Sequence, residues 1–303
     1  MKMNQKTSNL DYLSAFIAIV GPPNVGKSTL LNRLLGSKVA IVSPKPQTTR
    51  NRVLGVYHGE GFQMVFIDTP GIHRTRTHLH RSMVASARAT FSEVDMIAVM
   101  IDMLHPEDAD MTSILKELKK SEKTALLIIN KIDKGSPEVL LPIMETYRQR
   151  FLFDAIVPIS ALTGDGVQGL IEELKARLAP GPVFFPSDMK TDQTESFLIA
   201  EIIREKIFLF SRRELPYSSA VTVQNIEEIP KKTLMKVSAK IYVESESQKA
   251  ILIGRGGRMV KKIGQSARKE IEGLFGIHTF LDLVVRVEKN WSKDPKALKR
   301  LGY

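Results

Sequence analysis

The chain has 303 residues, of which 43% are hydrophobic and 25% are charged, a composition typical of a globular protein of about two domains. It contains no cysteine, which excludes disulfides, thiolate metal sites and cysteine nucleophiles. No apolar run approaches the ~18 residues of a membrane-spanning helix, and the polar N-terminus lacks the apolar centre of a signal peptide. We therefore expect a cytoplasmic protein.

The net charge of +11 is unevenly distributed along the chain. Residues 1–180 carry 22 basic and 18 acidic side chains, whereas the shorter stretch 181–303 carries 22 and 15. A basic excess of this size favours a polyanionic partner, which could be nucleic acid or a membrane surface. The C-terminal part is the better candidate for that contact.

An apolar run at residues 16–20 is followed directly by GPPNVGKS at residues 21–28. This order of strand, glycine-rich turn and helix start matches the phosphate-binding P-loop, in which glycine lets the backbone approach phosphates closely. Lys27 is predicted to bind the β- and γ-phosphates, and the Ser28 hydroxyl is predicted to bind Mg²⁺. The predicted phosphate-loop residues are Gly21, Asn24, Val25, Gly26, Lys27, Ser28 and Thr29.

Apolar segments further along the chain predict five more strands, at residues 52–58, 62–71, 96–102, 125–131 and 155–160. Helical patterns lie between them, at about residues 80–92, 108–120, 137–149 and 167–178. Strands that alternate with helices indicate an α/β fold, a P-loop NTPase with a doubly wound sheet that binds its ligand at the carboxyl ends of the strands. Three short motifs fall at such ends, DTPG, NKID and SAL.

Each of these motifs has a predicted chemical role. In DTPG, Asp68 is predicted to hold Mg²⁺ through a water, and Gly71 can bring its N–H to the γ-phosphate. In NKID, the Asp133 carboxylate can accept the neighbouring N1–H and N2–H₂ donors of guanine, which adenine lacks. The remaining predicted members of the nucleotide site are Thr69, Pro70, Asn130, Lys131, Ser160, Ala161 and Leu162.

These motifs, together with PQTTR at residues 46–50, resemble those of the Era family within the P-loop GTPases. The resemblance covers nearly the full chain. It implies a first switch segment, in which Thr49, with adjacent Thr48 as the alternative, closes on Mg²⁺ when GTP is bound, and a second switch at residues 71–82. The implied switch residues are Gln47, Thr48, Thr49, Arg50, Asn51 and Ile72.

Ile72 occupies the position after DTPG, where a water-orienting glutamine stands in Ras. Hydrolysis is then expected to depend on Mg²⁺, Lys27 and the loop amides, with an intrinsic rate on the order of 10⁻⁴ to 10⁻² s⁻¹. The resemblance leaves open whether Asn24 also binds K⁺.

The second half of the chain is ordered differently. A proline-rich linker is predicted at 181–190, between a G domain at 1–180 and a second domain at 191–303. The α-β-β-α-α-β order of its elements, with GRGG at residues 254–257 between two helices, resembles a type II KH domain. In KH domains this loop clamps the backbone of single-stranded RNA.

The residues around GRGG suit that role, because they are basic and the next helix directs its N-terminus at the loop. The predicted RNA-binding residues are Lys249, Gly254, Arg255, Gly256, Gly257, Arg258, Lys261 and Lys262. Apolar residues between them are predicted to line the base-binding groove, namely Ile251, Ile253, Met259, Val260 and Ile263. Trp291 is predicted to be a core residue rather than a base-stacking platform.

The sequence thus predicts a monomeric switch that binds GTP or GDP and single-stranded RNA. The resemblance implies that the RNA is the 3′ end of small-subunit ribosomal RNA and that the process is assembly of the small ribosomal subunit. A membrane-surface regulator whose basic face binds anionic lipid is the alternative, although no anchor is visible. An RNA-binding scaffold with an inactive G domain is disfavoured by the intact Lys27, Ser28, Asp68 and Asp133.

Overall fold

The computed structural model describes residues 12–43, 45, 48–71, 89–212, 214–230 and 233–303. These residues divide into two compact units. Unit 1 contains residues 12–39, 51–71 and 89–192, and unit 2 contains residues 40–43, 45, 48–50, 193–212, 214–230 and 233–303. Residues 40–43, 45 and 48–50, which the sequence places within the G domain, are therefore grouped with unit 2.

The described part of unit 1 contains strands that alternate with helices, as predicted. Its strands are β1 (Leu13–Val20), β2 (Val53–Gly59), β3 (Phe62–Asp68), β4 (Met96–Asp102), β5 (Thr124–Asn130), β6 (Ala155–Pro158) and β7 (Ala179–Pro180). Its helices are α1 (Lys27–Leu35), α2 (Met111–Ser121), α3 (Leu140–Arg150) and α4 (Val167–Lys175). Most of the predicted helix at 80–92 lies outside the described residues, as does the second switch beyond Gly71.

The strands of unit 1 form one mixed sheet in the order β2-β3-β1-β4-β5-β6. The pairs from β3 to β6 are parallel, whereas β2 is antiparallel to β3 and β7 is antiparallel to β1. The register aligns Ile19 with Asp68 and Asp102 with Asn130. The carboxyl ends of these parallel strands therefore meet at one edge, and the predicted α/β fold is confirmed.

Burial explains why these short segments become strands. Every residue of β3 and β4 is buried, because helices cover both faces of a parallel sheet. In α2 the buried residues Met111, Ile114, Leu115 and Leu118 recur at helical spacing. They pack with Val99, Leu127 and other strand residues in one apolar cluster.

Residues of the predicted linker contact unit 1 through hydrogen bonds. The N–H of Val56 donates to the Lys190 carbonyl over 2.8 Å, and Gln63 Nε2 donates to the Phe185 carbonyl over 2.9 Å. The ring of Phe184 lies edge-on to Phe16, with 4.7 Å between the ring centroids. This stretch is thus attached to β2, β3 and β1.

The described part of unit 2 has the predicted α-β-β-α-α-β order. It consists of α5 (Glu195–Phe210), β8 (Ala220–Ile229), β9 (Leu234–Val243), α6 (Glu246–Ile253), α7 (Arg258–Phe275) and β10 (His278–Val287), followed by α8 (Pro295–Arg300). The three strands pair in the order β10-β9-β8, with β9 parallel to β10 and antiparallel to β8. One apolar cluster joins α5, α6 and α7 to the sheet.

The residues that follow β10 contribute to a small apolar cluster. Trp291 is fully buried and packs with Ala220, Leu298 and Leu301 in a cluster of its own. Its indole N–H donates to the Ser218 carbonyl over 3.0 Å, the partner that a buried tryptophan requires. The prediction that Trp291 is a core residue is confirmed.

None of the helices in the described ranges is long and apolar enough to cross a membrane.

Candidate nucleotide-binding and RNA-binding sites

The P-loop residues lie between β1 and α1 in unit 1. Gly26 adopts a φ of 106°, in the left-handed region, and caps the N-terminus of α1. Lys27 is buried, and its Nζ donates to the carbonyls of Gly21 and Pro22 over 3.0 Å and 2.8 Å. The ammonium group is therefore held inside the curve of the loop, where the positive end of α1 also points.

Burial lowers the pKa of Lys27 from 10.5 to about 8, while the nearby carboxylates of Asp68 and Asp108 act in the opposite direction. Desolvation disfavours the charged form of a buried lysine unless an anion compensates it. A phosphate group bound in this loop would supply that anion. The buried charge is thus a feature suited to a polyanionic ligand.

Gly21 and Gly26 are required by the protein itself as well as by a ligand. A Cβ on Gly21 would lie 2.3 Å from the Met100 carbonyl oxygen, and a Cβ on Gly26 would lie 2.3 Å from Nδ2 of Asn130. The sequence predicted only that these glycines admit phosphates. In the fold, the missing side chains also leave room for β4 beside Gly21 and for the NKID loop beside Gly26. The P-loop and the NKID loop therefore pack against each other.

Ser28 and Asp68 lie side by side. The Ser28 hydroxyl donates to Oδ2 of Asp68 over 2.6 Å, and Asp68 is buried at the end of β3. The neighbouring Thr69 donates its hydroxyl to the Ile19 carbonyl over 2.9 Å, which ties DTPG to β1. A hydroxyl and a carboxylate are hard oxygen ligands of the kind that Mg²⁺ prefers.

Asn130 joins the motifs of the site. Its Nδ2 donates to the Val25 carbonyl over 2.7 Å, and its Oδ1 accepts the N–H of Ala161 over 2.9 Å. One buried side chain therefore connects the P-loop with the SAL loop. Asp133, three residues on, accepts a hydrogen bond from the Ser160 hydroxyl over 2.7 Å, so the NKID and SAL loops are joined twice.

Two residues of this site were not predicted from the sequence. Asp102, at the end of β4, binds Nζ of Lys131 over 2.6 Å and so fixes the lysine stem. Arg33 of α1 donates to the carbonyls of Ala161 and Leu162. Neither residue belongs to a motif, and the position of Asp102 at a strand end was the only signal available.

The other predicted nucleotide residues lie around these contacts. Asn24 is exposed, with a φ of 63° in the left-handed region. Leu162 is exposed, whereas Thr69, Pro70 and Gly71 are buried. A Cβ on Gly71 would lie 3.1 Å from Pro23, so DTPG also packs closely against the P-loop.

The implied first switch is divided between the two units. Thr48, Thr49 and Arg50 are grouped with unit 2, whereas Asn51 is grouped with unit 1 together with Ser28 and Asp68. Gln47 and Ile72 lie outside the described residues. The role of this segment in binding Mg²⁺ therefore stays a prediction.

The GRGG loop of unit 2 connects α6 to α7. Gly254, Gly256 and Gly257 have φ values of 72°, 58° and 76°, which L side chains rarely adopt. Apart from the chain neighbours of each glycine, no heavy atom of the described residues lies within 4 Å of a Cβ built on Gly256 or Gly257. The loop is therefore open on its outer side, next to the start of α7.

Four of the predicted RNA-binding cations are exposed, namely Arg255, Arg258, Lys261 and Lys262. Lys249 is half-buried, with its Nζ 3.7 Å from the carboxylate of Glu246. Nζ of Lys262 lies 4.3 Å from the ring centroid of Phe210. The unit thus presents a basic surface beside an open glycine loop.

The predicted apolar groove is wrong at one position. Ile263 is fully buried in the core of unit 2, because it lies on the face of α7 that packs against the sheet. Ile253, Met259 and Val260 are partly buried against the same core. Only Ile251 of the predicted set is largely exposed, at 60%.

Comparisons with known proteins extend these observations. A family model described as 50S ribosome-binding GTPase matches residues 16–131, and one described as KH domain matches residues 214–292. GTPase Era of Syntrophus aciditrophicus is 48% identical over 307 residues, covering 99% of each chain. GTPase Era of Geobacter metallireducens is 47% identical over 296 residues, covering 98% of this chain and 99% of the relative.

Two solved structures are similar over nearly the whole chain. One is a variant of Aquifex aeolicus Era bound to GDP and AlF₄⁻, and the other is Era in complex with MgGDPNP and nucleotides 1506–1542 of 16S ribosomal RNA. Each has a TM-score of 0.93 and 39% identity, and covers 96% of this chain and 99% of its own. The similarity thus includes the residues of both units, and the chain belongs to the Era family of GTPases.

Proposed function

We propose that this protein is a guanine-nucleotide switch that binds and hydrolyses GTP and binds single-stranded RNA. The RNA is the 3′ end of small-subunit ribosomal RNA, and the process is assembly of the small ribosomal subunit. The observation that carries the proposal is the position of Asn130, which joins the P-loop to the SAL loop through Val25 and Ala161. The similar Era complex with MgGDPNP and 16S ribosomal RNA supports the extension to RNA.

In this proposal the P-loop holds the triphosphate. Lys27 already lies in the curve of the loop and supplies a positive charge to the β- and γ-phosphates. The backbone N–H groups of the loop from Asn24 to Thr29 donate to the phosphate oxygens, since glycine leaves them accessible. The N–H of Gly71 is assigned to the γ-phosphate.

Mg²⁺ fits the oxygen atoms of Ser28 and Asp68, which lie 2.6 Å apart. The hydroxyl of Ser28 can donate to Asp68 and still offer a lone pair to a metal, so the observed hydrogen bond is compatible with that role. Mg²⁺ supplies neutralisation of the phosphate charge that develops during hydrolysis. Thr49 is the further ligand that we assign to the GTP-bound state.

Guanine is read by Asp133. This carboxylate accepts a hydrogen bond from Ser160 and has lone pairs left for the N1–H and N2–H₂ donors of the base. Lys131, held by Asp102, covers the base with its aliphatic stem. A backbone N–H of the SAL loop is assigned to the guanine carbonyl oxygen.

Hydrolysis is proposed to be slow in the isolated protein, because Ile72 carries no group that can orient water. Asn24 is proposed as a ligand for K⁺, which would add positive charge near the phosphates. Its exposed position and left-handed φ of 63° are compatible with that role. Addition of K⁺ in place of Na⁺ should then raise the rate of GTP hydrolysis, and an unchanged rate would exclude the assignment.

RNA binding is assigned to GRGG and the surrounding cations. The open glycine loop and the N-terminus of α7 favour phosphate groups, and the exposed arginines and lysines favour a polyanion. Because the proposed partner is ribosomal RNA, the proposed location is the cytoplasm. Peripheral binding at the inner face of the cell membrane is the alternative, and the basic charge is the one feature that supports it.

The test is equilibrium binding of the full chain to a labelled oligonucleotide with the sequence of the 3′ end of small-subunit ribosomal RNA. A scrambled oligonucleotide and vesicles containing anionic lipid serve as comparisons, each with Mg²⁺ and either GDP or a GTP analogue. We expect tighter and sequence-dependent RNA binding with the GTP analogue. Equal affinity in the two nucleotide states would contradict the switch, and vesicle binding without RNA binding would favour the membrane alternative.

A further inference from the structure

Unit 1 contains a cavity of about 880 Å³ that shares no residue with the predicted nucleotide site. One face of α2, the loop that precedes this helix and the last residue of α3 line it. A volume of this size lies within the roughly 300–1,000 Å³ of sites that enclose small molecules. We name it the α2 cavity.

The wall that α2 provides is apolar at its base and basic at its rim. Thr112, Leu115, Lys116 and Lys119 line the cavity at helical spacing, so they share one face of the helix. Leu115 is only 9% exposed and belongs to the core of unit 1. The aliphatic stems of the lysines and the methyl group of Ala109 add further apolar surface.

Arg150 stands at the side of the cavity formed by α3. Its Nη2 pairs with Oε1 of Glu107 over 2.6 Å, and its guanidinium carbon lies 5.3 Å from the ring centroid of Tyr147. Both Arg150 and Glu107 line the cavity. The charge of Glu107 is therefore already matched by a neighbouring cation.

Two lysines of the lining carry charge that the protein itself does not match. Lys116 and Lys119 are exposed, and within the described ranges their ammonium groups have no hydrogen-bond or ion-pair partner. They are three residues apart on one helical face, close enough to contact the same oxyanion. Asp108, the second carboxylate of the lining, accepts the N–H of Asp110 over 2.8 Å at the start of α2. The cavity as a whole is lined by four cations and two carboxylates, a net charge of +2.

We propose that the α2 cavity is a binding site for a small organic anion, which consists of an apolar body and one carboxylate or phosphate group. The body packs on Leu115 and Ala109, and the oxyanion lies between Lys116 and Lys119. A lysine ammonium is a point charge that does not require a planar partner. The recognised chemistry is therefore the oxyanion beside an apolar group.

Three compounds that share a naphthyl ring test this site, namely 1-naphthyl phosphate, 1-naphthoate and the uncharged 1-naphthol. Calorimetric titration of the full chain is carried out with excess GDP and Mg²⁺, so that the P-loop is not available to the phosphate compound. Because the lysines act on charge, we expect each anion to bind at least about fivefold more tightly than 1-naphthol. Equal affinity for all three compounds would overturn the proposal, as would the absence of binding by both anions at about 1 mM.

The double variant Lys116→Glu with Lys119→Glu places the binding in the α2 cavity. It replaces two attractive contacts by repulsive ones, so affinity for both anions should fall at least about tenfold, whereas that for 1-naphthol should not change. Lys123→Glu with Arg148→Glu is the matched control. It makes the same change in charge next to α2 and on α3, at residues outside the lining, and should leave affinity for the anions within about twofold. An equal loss in the control would attribute the binding to general charge and overturn the proposal.

Ala109→Trp tests the shape of the site without a change in charge. The larger side chain occupies part of the cavity from an exposed position of its lining, so both anions should bind at least about fivefold more weakly. Unchanged affinities would show that the anions bind elsewhere. A hexaglutamate peptide represents an acidic protein segment as the occupant. If it binds more tightly than either naphthyl anion and loses this affinity in Lys116→Glu with Lys119→Glu, the assignment to a small molecule is overturned.

Discussion

Both units carry a glycine-rich loop in front of a helix, yet the two loops are built differently. In the P-loop, Gly26 packs against Asn130, and Lys27 is buried with its ammonium bound to backbone carbonyls. In GRGG, the described part of the chain leaves the space around Gly256 and Gly257 open, and the neighbouring Arg255 and Arg258 are exposed. One loop is enclosed by its own unit and the other faces solvent.

This difference matches the size of the two proposed ligands. A nucleotide is small enough to be surrounded, so its site can fix every donor in advance and bury a charge that only the ligand neutralises. An RNA strand extends beyond any one loop, so its site requires exposed cations and a backbone that leaves room. Each of the following predictions changes one side of this comparison.

The largest effect is expected for Gly26→Ala. The new Cβ would lie 2.3 Å from Nδ2 of Asn130, at a φ of 106° that L residues rarely adopt. Asn130 must then move and lose buried hydrogen bonds worth about 1–3 kcal/mol each, so GDP affinity should fall by about 100-fold. Calorimetric titration measures it, and undiminished affinity would show that the loop is less constrained than its packing implies.

Gly36→Ala is the control for that variant. Gly36 also has a left-handed φ, 58°, but among the described residues no atom beyond its chain neighbours lies within 4 Å of its added Cβ. It should lower the stability of unit 1 by about 1 kcal/mol through backbone strain and leave GDP affinity within twofold.

RNA affinity should depend on the charge, and less on the size, of side chains added to the GRGG loop. Gly256→Asp combined with Gly257→Asp places two carboxylates where the phosphates of RNA are expected, so RNA affinity should fall at least about tenfold. Fluorescence anisotropy with the ribosomal oligonucleotide measures the loss. The Asn pair at the same positions has the same shape without charge and should retain more of the affinity. GDP binding should not change in either variant, and intact RNA binding in the Asp pair would contradict the KH assignment.

Asp133→Asn exchanges a carboxylate for an amide in the base site. The amide can donate to the C2 oxygen of xanthine but cannot accept both donors of guanine, so preference should shift from GTP to xanthosine triphosphate by at least about tenfold. Competition binding with the two nucleotides measures the preference. Retained selectivity for guanine would assign recognition of the base to another residue. Ser160→Ala removes the hydrogen bond to Asp133 and would show whether that bond contributes to guanine selectivity.

The smallest effect concerns pH. Because burial lowers the pKa of Lys27 to about 8, the side chain loses its proton between pH 7 and pH 9 in the free protein. Nucleotide phosphates favour the protonated form, so GDP affinity should fall by about tenfold at pH 9, one unit above that pKa. Guanosine, which has no phosphate, should bind equally at both values, and a flat profile for GDP would contradict the buried charge.

The same shift predicts the direction of the effect on folding. Lys27 binds its proton less tightly in the folded protein than in the unfolded chain, where its pKa is 10.5. The folded state therefore bears the full cost of the buried charge below about pH 8 and gains relative stability as pH rises from 8 towards 10.5. Nucleotide binding should reverse this trend.

The positions of the motifs could be predicted from the sequence because each follows a short apolar strand. DTPG follows β3, NKID follows β5 and SAL follows β6, and parallel strands bring their carboxyl ends together. The order of elements in unit 2 was equally readable, since helices and strands differ in the period of their apolar residues. The one error in the predicted apolar groove was Ile263, which is buried in the core, because helical spacing alone does not separate a core residue from a groove residue.

Local pattern alone therefore determined the P-loop, the base motif, the α/β fold and the KH-like order of unit 2. Only the tertiary structure decided which side chains hold those loops together. Asn130 contacts Val25 and Ala161, which are 105 and 31 residues away in the sequence. Arg50 donates hydrogen bonds to the carbonyls of Ser219 and Pro216, which are 169 and 166 residues away. Such contacts arise from how elements pack, because the residue types at either end are common and their pairing has no local signal.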